Sequence, residues 1–197
     1  PLPVIDPSSE AVIAEIREPG DALVDRAVAS ARAAFERGSW RSASVEQRQA
    51  ILRRCADAID AAADEIADIE CGNTGIPYSQ VRGRQVGRAA GNFRFFADYI
   101  GQMAAELYEQ EPDYLTYVRR EPVGVAALIV QWNFPLMMAV WKFAPALAAG
   151  CTMVLKPSEV APLSAHIFAE IMHEAGVPKG VFNMIDGDGP TVGEALS

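Results

Sequence analysis

The stretch Glu121-Pro122-Val123-Gly124-Val125-Ala126-Ala127-Leu128-Ile129-Val130-Gln131-Trp132-Asn133-Phe134-Pro135, read with Cys151-Thr152-Met153-Val154-Leu155-Lys156-Pro157-Ser158-Glu159, decides the fold. Val125 to Val130 is continuously apolar, the pattern of a strand buried on both faces of a parallel sheet. Pro135 suits a first helical turn, Gly150 stops that helix, and Cys151 to Leu155 is a second apolar strand. Asn133, Pro135, Lys142 and Pro145 punctuate the segment, which excludes a membrane span of roughly 20 uninterrupted apolar residues. Strand, turn, helix and strand make the unit of an open α/β sheet, which gathers ligands at the carboxyl ends of its strands. The Asn133 amide, read as buried, falls at one such end, and the pair Lys156 and Glu159 at the other. Spacing alone leaves alternatives open. Asn133 also reads as an N-cap or turn residue, and Lys156–Glu159 as a weak surface salt bridge.

On the amino-terminal side the texture is helical. Val24, Ala27, Val28, Ala31, Ala34 and Phe35 recur at helical spacing from Asp21 to a stop at Gly38. Ser44-Val45-Glu46-Gln47 is a capping-box pattern that opens a second, long helix with Ile51, Leu52, Cys55, Ile59, Ile66 and Ile69 as its stripe and Gly72 as its stop. A third helix is predicted from Pro77 to Ile100. Tyr114 to Arg120 then alternates like a partly exposed strand. Beyond the opening stretch, Pro162 to Glu174 is a predicted helix and Val181 to Ile185 a strand, followed by the glycine-rich turn Gly187-x-Gly189-x-x-x-Gly193 at the start of a further helix. That spacing is not the common GxGxxG fingerprint and equally fits a plain strand-to-helix turn.

The 197 residues, half of them hydrophobic, are enough for a substantial core. A formal net charge of −9 argues against a nucleic-acid partner. Arg82, Arg84, Arg88 and Arg94 do cluster, and the pattern reads as a solvated or subunit-facing helix surface. Three cysteines without metal-like spacing, and no visible signal peptide, fit a reducing cytoplasm. Cys151 begins an apolar strand and reads as packing rather than as a nucleophile. His166 and His173 lack a third ligand, so no metal site is expected.

Taken in order, Glu121-Pro122-Val123-Gly124-Val125, Trp132-Asn133-Phe134-Pro135, Pro145-Ala146-Leu147-Ala148-Ala149-Gly150-Cys151 and Lys156-Pro157-Ser158-Glu159 resemble the aldehyde dehydrogenase superfamily. The resemblance extends from Ile5-Asp6-Pro7-Ser8-Ser9-Glu10 to Gly193. It implies an α/β fold in which N-terminal helices precede a β arm and an open parallel Rossmann-like βαβαβ sheet, an incomplete aldehyde dehydrogenase fold. Residues 1–110 would be the helical part of the cofactor-binding domain, 111–121 an oligomerisation arm, and 122–197 the NAD-binding sheet.

The resemblance also implies chemistry. Asn133 would donate to the aldehyde oxygen as it gains charge. Ile129, Val130, Gln131 and Trp132 would meet the nicotinamide half of the cofactor. Lys156, Ser158 and Glu159 would meet the adenosine ribose, and Gly189 and Gly193 would allow close approach. Glu159 would repel a 2′-phosphate, favouring NAD, with NADP possible. The activity implied is oxidation of an aldehyde to a carboxylic acid through a cysteine thiohemiacetal and thioester, in a homodimer or homotetramer. Members are much longer, with the nucleophilic cysteine and the general-base glutamate beyond the position of Ser197. The chain is therefore expected to be a fragment, inactive alone. The competing expectation is a naturally truncated, non-catalytic protein that binds or oligomerises. A short-chain dehydrogenase is disfavoured because no Tyr-x-x-x-Lys occurs. Gly91 to Asp98 resembles members that oxidise semialdehydes from aromatic breakdown.

Overall fold

A computed structural model describes residues 1–197. Strands β1 (Leu2–Ile5) and β2 (Val12–Ile16) pair antiparallel about a turn that Asp6 organises. Its carboxylate accepts from the Ser8 amide at 2.8 Å and from the Ser8 and Ser9 hydroxyls at 2.7 Å, and these bonds, led by the Ser8 hydroxyl, hold its pKa down at about 2. Helix α1 (Asp21–Arg37) ends at Gly38 as expected. Helix α2 (Val45–Ala61) begins with the predicted capping box, Ser44 Oγ accepting from the Gln47 amide at 3.2 Å and Gln47 Oε1 from the Ser44 amide at 2.9 Å.

The long second helix is in fact two. It breaks at Ala62 (φ −90°, ψ 14°), and α3 (Ala63–Thr74) continues through Gly72 to stop at Gly75, whose φ of 71° is left-handed. The apolar stripe runs on across the break, so periodicity does not register it. The stop belongs to the glycine that must adopt the backbone L-residues avoid. In the third helical region, α4 (Tyr78–Gln80) passes through a π-helical turn, Val81–Gln85, into α5 (Val86–Ile100).

Strand β4 (Tyr114–Tyr117) ends before Arg120 and pairs antiparallel with β3 (Leu107–Glu111). The acidic residues Glu109 and Glu111 hide β3 from a reading based on β-formers. Then β5 (Val125–Ile129), α6 (Pro135–Ala149), β6 (Thr152–Lys156), α7 (Leu163–Glu174) and β7 (Phe182–Met184) form the expected βαβαβ run, parallel in the order β5-β6-β7. Strand β6 is buried throughout. In β5 only Leu128 is fully buried, against expectation, because β5 is an edge strand with one neighbour. Alternation along β6 sorts the layers: Val154 packs with Val24 and Ala31 of α1, whereas Met153 and Leu155 join the core under α6 and α7. Phe143 anchors that core, its ring centroid 5.0 Å from Phe168 and 4.8 Å from Phe182.

Polar side chains of α2 and α3 hold the ends of α6 and α7. Glu70 Oε2 accepts from the Leu136 amide at 3.0 Å, and Arg48 donates to the Ala148 carbonyl at 3.0 Å, at opposite ends of α6. Asn73 Oδ1 accepts from the Leu163 amide at 3.2 Å, and Arg54 donates to the Ala175 carbonyl at 2.9 Å, at opposite ends of α7. Each helix thus has an acceptor at its donor-rich end and a cation at its carbonyl end, the arrangement its dipole favours.

Candidate functional site

The two groups of candidate residues meet because β5 and β6 are neighbours in register. Ile129 sits opposite Lys156, and the Val130 amide donates to the Lys156 carbonyl at 3.0 Å. Lys142, about two turns into α6, donates to the Ile129 carbonyl and ties the strand end to the helix. Gln131, Trp132 and Asn133 then leave the sheet as an exposed loop, with Trp132 61% exposed. Asn133 is therefore not buried. Nor is it the N-cap: that position is Phe134, and no side chain of the loop caps α6. The cap comes from Glu70 instead, which leaves the Asn133 amide uncommitted.

Lys156 is 2% exposed, so its pairing with Glu159 is not the surface bridge that spacing allowed. Its ammonium donates to the Pro157 carbonyl at 2.6 Å and lies 3.3 Å from Glu159 Oε2. Ser158 is buried, its Oγ accepting from the Val160 amide at 3.3 Å. Gly193 approaches the Lys156 stem: a Cβ there would meet Lys156 Cε at 3.9 Å, whereas one at Gly189 would meet nothing within 4 Å. Asp188 caps this π-helical turn (Gly189–Gly193), accepting from the Thr191 amide at 2.8 Å. The glycine whose conformation is obligatory is Gly187, with φ 136° and a hypothetical Cβ only 2.3 Å from Val192.

Glu70 is the residue sequence reasoning passed over. It is fully buried beneath the loop, where burial pushes its carboxyl up and the Leu136 amide opposes that shift. The available signal was a carboxylate following Ile66 on a buried helical face, a placement that demands a donor. Cys151 is buried, as is Cys55, whose thiol burial pushes up to about 12. His166 lies 3.1 Å from Asp186, which raises the imidazole pKa chiefly by hydrogen bonding. No helix is long and apolar enough to cross a membrane.

The family model described as "Aldehyde dehydrogenase family" matches residues 1–197. The chain is 41% identical over 191 residues to the 5-carboxymethyl-2-hydroxymuconate semialdehyde dehydrogenase of Escherichia coli, covering 97% of this chain and 40% of that protein. It is 42% identical over 193 residues to the NADP/NAD-dependent aldehyde dehydrogenase PuuC of Escherichia coli (strain K12), covering 98% and 39%. Among solved structures, the NAD+ complex of an aldehyde dehydrogenase from Bacillus cereus superposes with a TM-score of 0.95 at 38% identity, over 98% of this chain and 40% of that one. The chain thus spans about 40% of the length of the proteins it matches. With the same elements in the same order over its whole length, it belongs to the aldehyde dehydrogenase family.

Proposed function

We propose that the chain forms the dinucleotide-binding part of an NAD(P)-dependent aldehyde dehydrogenase that oxidises an aldehyde to a carboxylic acid. The observation that carries this reading is the meeting of the Asn133 loop and the Lys156–Glu159 pair at adjacent strand ends. The residues fit a dinucleotide: a fixed ammonium, a carboxylate 3.3 Å from it, and a turn open at Gly189 stand at the carboxyl edge of the sheet. Lys156 and Glu159 would hold the adenosine ribose as donor and acceptor, with Ser158 fixing the turn between them. Ile129, Val130, Gln131 and Trp132 would border the nicotinamide half, and Gly189 and Gly193 would leave room for close approach. When bound, the dinucleotide supplies the acceptor for the hydride lost by the aldehyde carbon. Asn133 donates its side-chain N–H to the aldehyde oxygen as negative charge develops there. A cysteine thiohemiacetal and thioester require an accessible thiolate, a role for which the buried Cys55 and Cys151 are unsuited.

The test of the cofactor site is Glu159→Gln in the intact protein. Removing the carboxylate lifts its repulsion of a 2′-phosphate, about 1 kcal/mol at close range in water, so relative efficiency with NADP rises about fivefold. An unchanged NAD-to-NADP ratio would remove Glu159 from ribose recognition.

We further infer a homo-oligomer joined through the β3–β4 arm, in the cytoplasm, where three free thiols are at home. Every residue of both strands is exposed, Leu107, Tyr114, Leu115 and Tyr117 by 59% or more, and such an edge calls for a covering partner. Thr116 stands opposite Tyr108 in the ladder. Proline at Thr116 removes a backbone donor and should shift the sedimentation profile of the intact protein towards smaller species. An unshifted profile would place the contact elsewhere.

A further inference from the structure

The four clustered arginines divide by partner. Arg82 lies 2.5 Å from Asp64, and Arg94 lies 2.7 Å from Asp57 and 2.8 Å from Asp60. Arg84 and Arg88 take part in none of the chain's ion pairs. Both instead line a cavity of 290 Å³, at the small end of ligand pockets, whose apolar wall includes Phe134, Met137 and Trp141. The Arg88 guanidinium lies over the Trp141 ring, 5.8 Å from its centroid, a contact that steadies the cation against the wall. In a chain of net charge −9, two unneutralised guanidiniums at one opening run against the overall field.

Gln85 supplies an independent observation. It lines the same cavity, is 5% exposed, and neither its Oε1 nor its Nε2 has a hydrogen-bond partner. A buried amide with both ends unpaired is costly, and a ligand at this position is what would satisfy it. Gln85 and Arg84 also belong to the π-helical turn, a departure from α-helix that recurs at functional sites.

We propose that this cavity binds the carboxylate of the substrate, which is therefore an aldehyde carrying a carboxylate at its far end. The inference rests on the aldehyde oxidation proposed above. Guanidinium forks match carboxylate oxygens two for two, the Gln85 amide adds a further donor, and the Met137 and Trp141 walls take the carbon chain between the two ends. Phe134 of the wall directly follows Asn133, so the pocket adjoins the loop that would meet the aldehyde oxygen.

The test compares glutarate semialdehyde with pentanal, of equal carbon number, on the intact protein. The anionic aldehyde should be favoured at least tenfold in kcat/KM, chiefly through KM. The double variant Arg84→Gln/Arg88→Gln should lower that preference at least tenfold, and Gln85→Leu should lower it by a smaller factor. If both aldehydes are oxidised equally well, or the preference survives the double variant, the carboxylate pocket is wrong while aldehyde oxidation stands. If neither is oxidised, the reaction fails, and glutarate binding followed by tryptophan fluorescence decides the pocket. Binding that the double variant abolishes upholds the anion site, and absent or unaltered binding overturns it.

Discussion

Replacing Asn133 by alanine in the intact protein should lower kcat by about a hundredfold or more, because one fixed donor to a developing oxyanion contributes about 2.7–4 kcal/mol. NAD affinity should stay within a few-fold. The loss acts on charge that appears only during reaction, so it belongs in kcat and kcat/KM together rather than in KM. The geometry favours a clean result. Asn133 is exposed and does not cap α6, so removing its amide leaves no buried group without a partner and does not unseat the helix. Steady-state kinetics with an unchanged melting profile is the decisive pair of measurements. Near-normal turnover would transfer the oxyanion role to another donor.

Glu70 should show a large effect on stability. Alanine there orphans the Leu136 amide at the start of α6 and opens a void beside it, a loss of about 2–3 kcal/mol by the usual cost of a missing cap and an unpaired buried donor. Glutamine keeps an acceptor and removes only the charge, so Glu70→Gln should retain most of the stability. Because burial raises the folded-state pKa above its ordinary value of 4.5, the native state binds the extra proton in the window above that value. The wild type therefore loses stability relative to Glu70→Gln as pH rises through that window. Urea unfolding of the three proteins between about pH 4.5 and 8 measures both effects. Equal stabilities for alanine and wild type would deny the cap its importance.

What the sequence made legible was governed by local pattern. The strand β6 shows as an unbroken apolar run because it is buried on both faces, the Ser44–Gln47 box announces α2, and Pro135 and Gly150 bracket α6. What it concealed depends on distant partners. The role of Glu70 is fixed by an amide 66 residues away, and the pairing of Arg94 by a carboxylate 37 residues away, so nothing near either position marks it. The distinction between paired and unpaired arginines, on which the carboxylate pocket turns, exists only after α5 has docked beside α2 and α3. The break at Ala62 was hidden for another reason: no glycine or proline accompanies it, and the apolar period continues undisturbed. The burial assigned to Asn133 failed because this residue sits in an exposed loop at the end of β5, which has a strand neighbour on one side only.

The bonds from α2 and α3 to the helix ends act as a gauge on chain length. Helix α6 has 15 residues, about 22 Å at roughly 1.5 Å per residue, and Glu70 and Arg48 grip its two ends from a fixed separation. A single residue inserted within α6 would lengthen it by about 1.5 Å and turn one end by about 100° against the other, so one grip must open. The same holds for α7 between Asn73 and Arg54. Length variation among related chains should accordingly gather in the connections at 101–106, 118–124 and 176–181, while these two helices keep their residue count even where their sequences drift.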